Sequence, residues 1–470
     1  MNLIERLVKS NGLYVVDDAI KGKRTVAERE FKRGEVLLSI PPLYSFPLYK
    51  EPTDSQHPTA ATKLARLTDQ QQIDKAAMKL KPEYREYLYM TIGIGAMLHY
   101  VASTIPSKVP EWLHVQANAW YQLVSHRQDH SQLMHKQYGE IARVIAIYGN
   151  VGPLRFSNDD GEDLEDAIVT ALCRSGCNNF ATYEPHCPQM SGYMCSPLIS
   201  LLFNHSCLPN ATFVFSKGMQ VVRALEDINQ GDEITLTYAD ALLPRKERQT
   251  RLAEVYFFNC LCKKCTPLSV RGQIDGLMSR ALEVSSHMPR LLPTDYAKPP
   301  AIDPWVMQLV QLFNNFILEK STDEFEQEML KAISITDACD MSFAAYQHWL
   351  ECQDECLDRL SRGSTDANVM LWSCISSLYV LAFYILAYPP YYSLIGFQCL
   401  QTAKLLWNTL ITITSIPEHF QAIVCERQVG KLARCALNIL KISADPTVST
   451  ASNPSINSQI ELLYCQQKTS

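Results

Sequence analysis

Cys260-Leu261-Cys262-Lys263-Lys264-Cys265 packs three thiols into six residues. That density suits a tetrahedral Zn²⁺ or an iron–sulfur site better than a hydrophobic core. Three sulfur ligands want a fourth. The nearest candidate in a polar setting is Cys207, within Asn204-His205-Ser206-Cys207-Leu208-Pro209-Asn210. Its thiol would tie two distant segments into a closed four-sulfur site. Two other readings stay open: buried thiols without metal, and a redox pair at Cys262 and Cys265, although no thioredoxin-like βαβ pattern surrounds them.

Around this stretch the chain reads as short strands. Phe213-Val214-Phe215 and Met219 to Ala224 flank Ser216-Lys217-Gly218, the composition of a hairpin turn that ends in a residue free to take positive φ. Ile234-Thr235-Leu236-Thr237-Tyr238 alternates cleanly after the turn Asn229-Gln230-Gly231-Asp232. Upstream, Leu13 to Val16 and Val36 to Ile40 are further β-branched or apolar runs, closed off by Asp17-Asp18, Gly34 and Pro41-Pro42. Between the two β-rich regions the pattern turns helical, with Tyr84, Tyr87, Leu88, Ile92 and Ile94 near one face. Leu133, Tyr138, Ile141, Val144, Ile145 and Tyr148 lie near another.

Pro289, Pro293, Pro299, Pro300 and Pro304 mark a linker, because each fixes φ and removes a donor. Beyond it, helical stripes such as Val306, Leu309, Val310, Phe313, Phe316 and Ile317 predict a helix-hairpin array, without a strict tetratricopeptide signature. Ala444 to Ser458, rich in Ser, Thr, Asn and Pro, predicts a loosely ordered tail.

A chain of 470 residues predicts two or three domains, and 47% hydrophobic content can fill them. The formal charge of -6 supplies no basic field for nucleic acid, so no direct nucleic-acid ligand is expected. Asp366 to Lys404 has no charge between its ends, and Leu371 to Leu386 is apolar enough to span a membrane. Pro389, Pro390 and the Ser, Cys and Tyr content favour a buried helix, and no membrane association is expected. Glu5, Arg6 and Lys9 interrupt any apolar core of a secretory signal, so a cytoplasmic or nuclear location is expected.

Taken together, Asn204-His205-Ser206-Cys207-x-Pro-Asn210, Gly231-Asp232-Glu233, Tyr238 and Tyr256-x-Phe258-x-Cys260-x-Cys262-x-x-Cys265 resemble the SET domain and post-SET zinc loop of protein lysine methyltransferases. Cys177-Asn178-Asn179-Phe180, Leu123-x-Ser125-His126 and Tyr388-Pro389-Pro390-Tyr391 narrow the likeness to the SET-and-MYND (SMYD) subfamily. The resemblance implies an α+β protein with a SET domain over residues 1–240, of which 46–180 is largely a helical insertion. A post-SET zinc region (241–266), a linker (267–304), a TPR-like helical-hairpin domain (305–443) and a flexible tail (444–470) follow. One departure is plain: Phe46 to Val101 contains no cysteine, so the MYND finger is absent.

The implied reaction is methyl transfer from S-adenosylmethionine to a lysine of a protein substrate, histone or non-histone, by a chain expected to be a monomer. Lysine, with a reference pKa near 10.4, attacks only when neutral, so the chemistry asks for a desolvated aromatic channel. By resemblance Phe180, Tyr238, Tyr256 and Phe258 line it, with Tyr238 as the catalytic residue. Lys21, Lys23, Cys177, Asn178, Asn204, His205, Tyr238, Tyr256 and Phe258 would contact the cofactor, and Cys207, Cys260, Cys262 and Cys265 would hold Zn²⁺. Two departures bear on cofactor binding. Val124 stands where many relatives place an acidic residue, and Lys23 replaces an arginine, leaving a point charge instead of a bidentate fork. The competing expectation is a catalytically weak SET-like scaffold that binds proteins through its C-terminal helices.

Overall fold

Short strands need partners to bury their apolar face, and among the described residues they find them in four small sheets. The computed structural model of the chain describes residues 2–19, 21–47, 70–147, 154–157, 162–183, 190–216, 218–279, 299–319, 325–334, 341–444 and 458–459. Lys217, Tyr148, Pro289, Pro293 and most of the expected tail lie outside the described residues.

Helix α1 (Leu3–Ser10) opens with a capping box in which Asn2 and Glu5 satisfy each other's backbone N–H groups. Strands β1 (Leu13–Asp18) and β2 (Gly22–Ala27) pair antiparallel, from Leu13 opposite Ala27 to Asp18 opposite Gly22. Strand β3 (Val36–Ile40) joins β9 (Met219–Ala224), which pairs on its other side with β8 (Ala211–Ser216). Ser216 faces Met219 and Gly218 has φ 76°, the left-handed conformation that the tight turn needs. Strand β4 (Tyr44–Pro47) pairs with β6 (Met190–Cys195), and β6 with β5 (Asn179–Tyr183).

Between β4 and β5 lie α2 (Gln70–Ala77), α3 (Arg85–Ser103), α4 (Glu111–Gln122), α5 (Gln132–Ile147) and α6 (Leu164–Asn178). Leu88, Ile92 and Ile94 are buried in the core that these helices share. Tyr87 and Leu133, each grouped by period with residues that are buried, are themselves exposed. The reason is that α3 buries its middle turns nearly all round. Gly93 and Gly95 let the Tyr44 and Phe156 rings come so close that a Cβ would stand 2.2 and 2.4 Å from them. Tyr87 sits roughly two turns short of that crossing.

Helix α7 (Pro197–Leu202) leads into β7 (Asn204–His205), which pairs in parallel with β10 (Thr235–Leu236). The five-residue alternation from Ile234 to Tyr238 thus yields only two paired residues. Two side chains take the neighbouring amides: Asn210 Oδ1 accepts from the Thr235 N–H at 2.9 Å, and His205 Nδ1 accepts from the Tyr238 N–H at 2.9 Å. This exchange turns the strand into the candidate site.

Helices α8 (Arg245–Tyr256) and α9 (Val270–Ser279) bracket the cysteine-rich loop. Among the described residues that follow, the elements are helices: α10 (Pro304–Glu319), α11 (Phe325–Ser334), α12 (Phe343–Ser361), α13 (Ala367–Ala387), α14 (Ser393–Thr412), α15 (Glu418–Gln421) and α16 (Glu426–Ser443). Neighbours α12, α13 and α14 pack in sequence, and α16 packs on α14, where Gly396 leaves room for Leu440. Helix α13 is long and apolar enough to cross a membrane, and 94% of its most apolar stretch is buried among the other helices. Its core also takes in Leu225, Ala241 and Leu242, the residues that flank the site.

Candidate active site

The four cysteines converge. The Sγ atoms of Cys207, Cys260, Cys262 and Cys265 all lie within 4.8 Å of one another. Cys207 is 3.9 Å from Cys260 and 3.6 Å from Cys265. A tetrahedron of zinc–sulfur bonds of about 2.3 Å has edges of about 3.8 Å. The donor set therefore fits a closed four-sulfur metal site in both spacing and chemistry. Turns position it: the Cys265 N–H donates to the Cys262 carbonyl at 2.9 Å, and Gln249 takes both backbone groups of Cys260.

Behind the sulfurs stands a buried ionic layer that the sequence reading missed. Arg248, fully buried, forks onto Asp275 at 2.8 and 2.9 Å and reaches Cys265 Sγ at 3.8 Å. Arg245 binds the same carboxylate at 3.0 Å. Lys264, between two of the cysteines, donates to the Ala241 carbonyl at 2.8 Å. Burial pushes its ammonium down to about 8, with Asp275 opposing the shift. In the sequence, Arg248 is one of several charges from Arg245 to Arg251, with nothing to mark it as the one that turns inward.

Tyr238, Tyr256 and Phe258 gather beside the cysteines. The Tyr238 and Tyr256 rings are 5.0 Å apart and tilted by 39°, while Phe258 meets Tyr238 edge-on at 6.5 Å. Tyr238 donates its hydroxyl hydrogen to the Phe203 carbonyl. Burial holds this phenol well above its ordinary pKa, so it stays protonated. His205 lies 5.3 Å from the Tyr238 ring. Its Nδ1 accepts from the Tyr238 N–H, which leaves Nε2 to carry the hydrogen toward Cys207 Sγ at 3.2 Å. Burial lowers His205 to about 4, in keeping with that neutral ring.

A polar edge adjoins the aromatic cluster. Asn204 Nδ2 donates to the Lys23 carbonyl at 2.9 Å and to Glu233 at 3.2 Å, and Lys21 Nζ pairs with Glu233 at 2.6 Å. The Lys23 side chain is exposed at the same turn. Cys177 and Asn178 end α6, which packs on α8. Asn178 donates to the Arg174 carbonyl at 2.7 Å and its own carbonyl accepts from Ser200, while burial pushes the Cys177 thiol up to about 12. Phe180 joins the neighbouring core, edge-on to Phe213 at 5.0 Å. Val124 is 64% exposed.

The helical C-terminal region closes on this assembly through residues not singled out for contact. Tyr388 donates to Asp240 Oδ1 at 2.6 Å and stacks on Tyr392 at 4.8 Å, and Arg33 lies 4.0 Å over the Tyr391 ring. The Tyr388-Pro389-Pro390-Tyr391 quartet was the available signal.

Comparison with known proteins agrees with the geometry. Residues 22–239 match the SET domain family. Histone-lysine N-methyltransferase ASHR1 of Arabidopsis thaliana is 26% identical over 287 residues, 56% of this chain and 57% of that protein. N-lysine methyltransferase SMYD2 of Homo sapiens is 34% identical over 101 residues, 22% of this chain and 23% of that one. SMYD2-B of Danio rerio is 38% identical over 104 residues, 22% and 24% of the two chains. The chain thus spans little more than half the length of ASHR1 and about a quarter of SMYD2 in these matches. The SET domain of LSMT bound to lysine and AdoHcy aligns over 99% of this chain and 91% of that one at 12% identity, with a TM-score of 0.31, a likeness too slight to bear on the fold. The SET match runs from Gly22 past Tyr238, and over parts of its length the chain is similar in sequence to the ASHR1 and SMYD2 lysine methyltransferases.

Proposed function

We propose that this chain transfers a methyl group from S-adenosylmethionine to lysine side chains of protein substrates, histone or non-histone, and binds one structural Zn²⁺ through its four clustered cysteines. The observation that carries this reading is Tyr238, half-buried, its hydroxyl hydrogen committed to the Phe203 carbonyl and its ring walled by Tyr256 and Phe258. Asn204, His205, Lys21 and Lys23 would hold the cofactor at the polar edge, with Cys177 and Asn178 at the end of α6. The cofactor supplies an electrophilic methyl on a sulfonium.

The chain's own residues supply the rest. The aromatic walls exclude water, which favours the neutral amine, and their π-faces hold the ammonium before it loses its proton to solvent. Tyr238 Oη, having given its hydrogen to Phe203, presents lone pairs to the reacting centre and orients it. With S-adenosylmethionine bound, Tyr238, Tyr256 and Phe258 would hold the neutral amine in line with the sulfonium methyl, a positioning worth about 7–11 kcal/mol, and the cofactor would leave as the neutral thioether. The cysteine cluster has all four positions filled by sulfur, so its metal would be structural.

The helices from 305 to 443 would form a TPR-like domain that, with the SET core (1–240) and the post-SET region (241–266), borders the substrate groove. A monomer in cytoplasm or nucleus suits this arrangement. Calorimetric titration of S-adenosylmethionine into the zinc-loaded protein tests the reading, with Asn204→Ala as control. Micromolar binding lost in the variant, followed by label transfer to protein lysines, is expected. A folded, zinc-loaded protein that binds no cofactor would move the assignment to a protein-binding scaffold.

A further inference from the structure

Among the described residues, two other than glycine have positive φ: His126 at 51° and Phe257 at 61°. They are stacked on each other, ring centroids 4.8 Å apart and planes within 24°. A side chain at positive φ is strained, and glycine is the usual residue at such a helix end. Two strained residues on separate segments, face to face, define a built contact.

Phe257 is the left-handed cap of α8, and its N–H returns to the Leu252 carbonyl. It stands between Tyr256 and Phe258. The left-handed turn at Phe257 reverses the chain so that both neighbours reach the Tyr238 ring. A cap that slipped to an extended conformation would carry at least one of them away. A second ring helps to hold it: His130 meets Phe257 edge-on at 5.0 Å.

The 123–130 loop is itself anchored on both sides of His126. Arg174 donates to the Leu123 carbonyl at 3.0 Å. Arg127 pairs with Asp166 at 2.7 Å and reaches Thr170 at 3.1 Å. Within the loop, Asp129 holds His126 Nδ1 at 3.1 Å. All the anchors lie on α6, the helix that ends in Cys177 and Asn178. One helix therefore delivers two candidate cofactor residues and, through the loop, the ring that braces the opposite wall.

We propose that His126 is a positioning residue of the methyl-transfer site, acting through its stack on Phe257 to hold Tyr256 and Phe258 against Tyr238. The proposal rests on the function proposed above for what it positions, and on geometry alone for how. It also gives the Ser125-His126 pair a role that needs no acidic residue at position 124.

The experiment is hydrogen–deuterium exchange at the Phe257, Phe258 and Cys260 amides of the zinc-loaded protein, paired with calorimetry of S-adenosylhomocysteine. His126→Ala should speed exchange at those amides at least tenfold, leave the α13 amides unchanged and weaken S-adenosylhomocysteine about tenfold. His126→Phe should restore both. Phe257→Gly, which relieves the positive φ but deletes the ring, should open the same amides. Unchanged exchange in His126→Ala, or slower exchange in Phe257→Gly, would overturn the proposal. So would opened amides with unaltered affinity, which would make the stack a stability contact only. If the wild-type protein binds no S-adenosylhomocysteine, the function above fails and His126 positions no cofactor site, while the exchange data still decide whether the stack holds the turn.

Discussion

Lys264, set between two of the clustered cysteines, donates its ammonium at 2.5 Å to the carbonyl of Ala387, the last residue of α13. A helix end leaves its last carbonyls without intrahelical donors, and cations there are favourable. The cysteine loop thus caps the most deeply buried helix of the C-terminal region. Two residues past Tyr238, Asp240 accepts from Tyr388 just beyond the same helix end. Site and helices thus meet at two adjacent residues of one helix end, through the Ala387 carbonyl and the Tyr388 hydroxyl.

Lys264→Met should therefore destabilise the protein by about 2 kcal/mol. It strips the donor from two buried carbonyls, each worth about 1–3 kcal/mol, while relieving the penalty of burying a charge. Zinc content should not change. Urea denaturation with metal analysis checks both.

The parts of this site that were legible in the sequence are those with local spacing. Cys260, Cys262 and Cys265 lie on one tight loop, and Asn204 to Cys207 on one turn, so their residue types carried the chemistry directly. Contacts made through the tertiary fold left no such trace. Arg248 lies among Lys246, Glu247 and Arg251 with nothing to distinguish its inward face. Phe257 was hidden between two aromatic residues that drew the attention, and its role depends on φ, which sequence does not display outside glycine. The β10 reading failed at its ends because His205 and Asn210, both recognised for other reasons, take the backbone donors of Tyr238 and Thr235. Side-chain competition for a ladder amide is invisible to alternation.

Metal removal should act on structure before chemistry. About one Zn²⁺ per chain is expected, and a strong chelator should release it, expose four alkylatable thiols and loosen the link between Cys207 and the Cys260–Cys265 loop. Cys262→Ser should reproduce that state. Full metal content in Cys262→Ser would refute the four-sulfur assignment. Plasma mass spectrometry and thiol counting give the answer.

The Arg248–Asp275 fork should behave as a buried pair. Arg248→Met alone, which leaves Asp275 with Arg245 and a distant Lys264, should cost about 3 kcal/mol, and Asp275→Ala about 3–5 kcal/mol because two guanidinium groups lose their partner. The double variant should cost less than the sum. A double-mutant cycle by chemical denaturation measures the coupling, and strict additivity would show that the pair does not act as a unit.

Acid should loosen the loop beneath Phe257. His130 has its pKa lowered, chiefly by burial and then by His135 and His126. Its folded value lies below the unfolded one, so the unfolded chain takes up the proton first. The stabilising contribution is complete above about pH 6.5 and is lost as pH falls through that value toward the folded pKa. Amide protection around Phe257, corrected for the intrinsic pH dependence of exchange, should fall as the pH drops below about 6.5, and His130→Phe should flatten that dependence.

Tyr238→Phe separates binding from transfer. The substitution keeps the ring that packs on Tyr256 and Phe258 and the backbone N–H that His205 accepts. It removes the oxygen proposed to orient the amine and leaves the Phe203 carbonyl without its donor, at about 1–3 kcal/mol of stability. Single-turnover methyl transfer should fall on the order of 10²-fold, the scale of losing one positioned hydrogen-bonding group. Affinity for S-adenosylhomocysteine should change by less than about threefold, since Asn204 and the Lys21 turn remain. Equal losses in affinity and rate would place Tyr238 in cofactor binding instead of the transfer step. An unchanged rate would remove it from the chemistry, leaving the aromatic walls of Tyr256 and Phe258 to account for the desolvation that the amine requires.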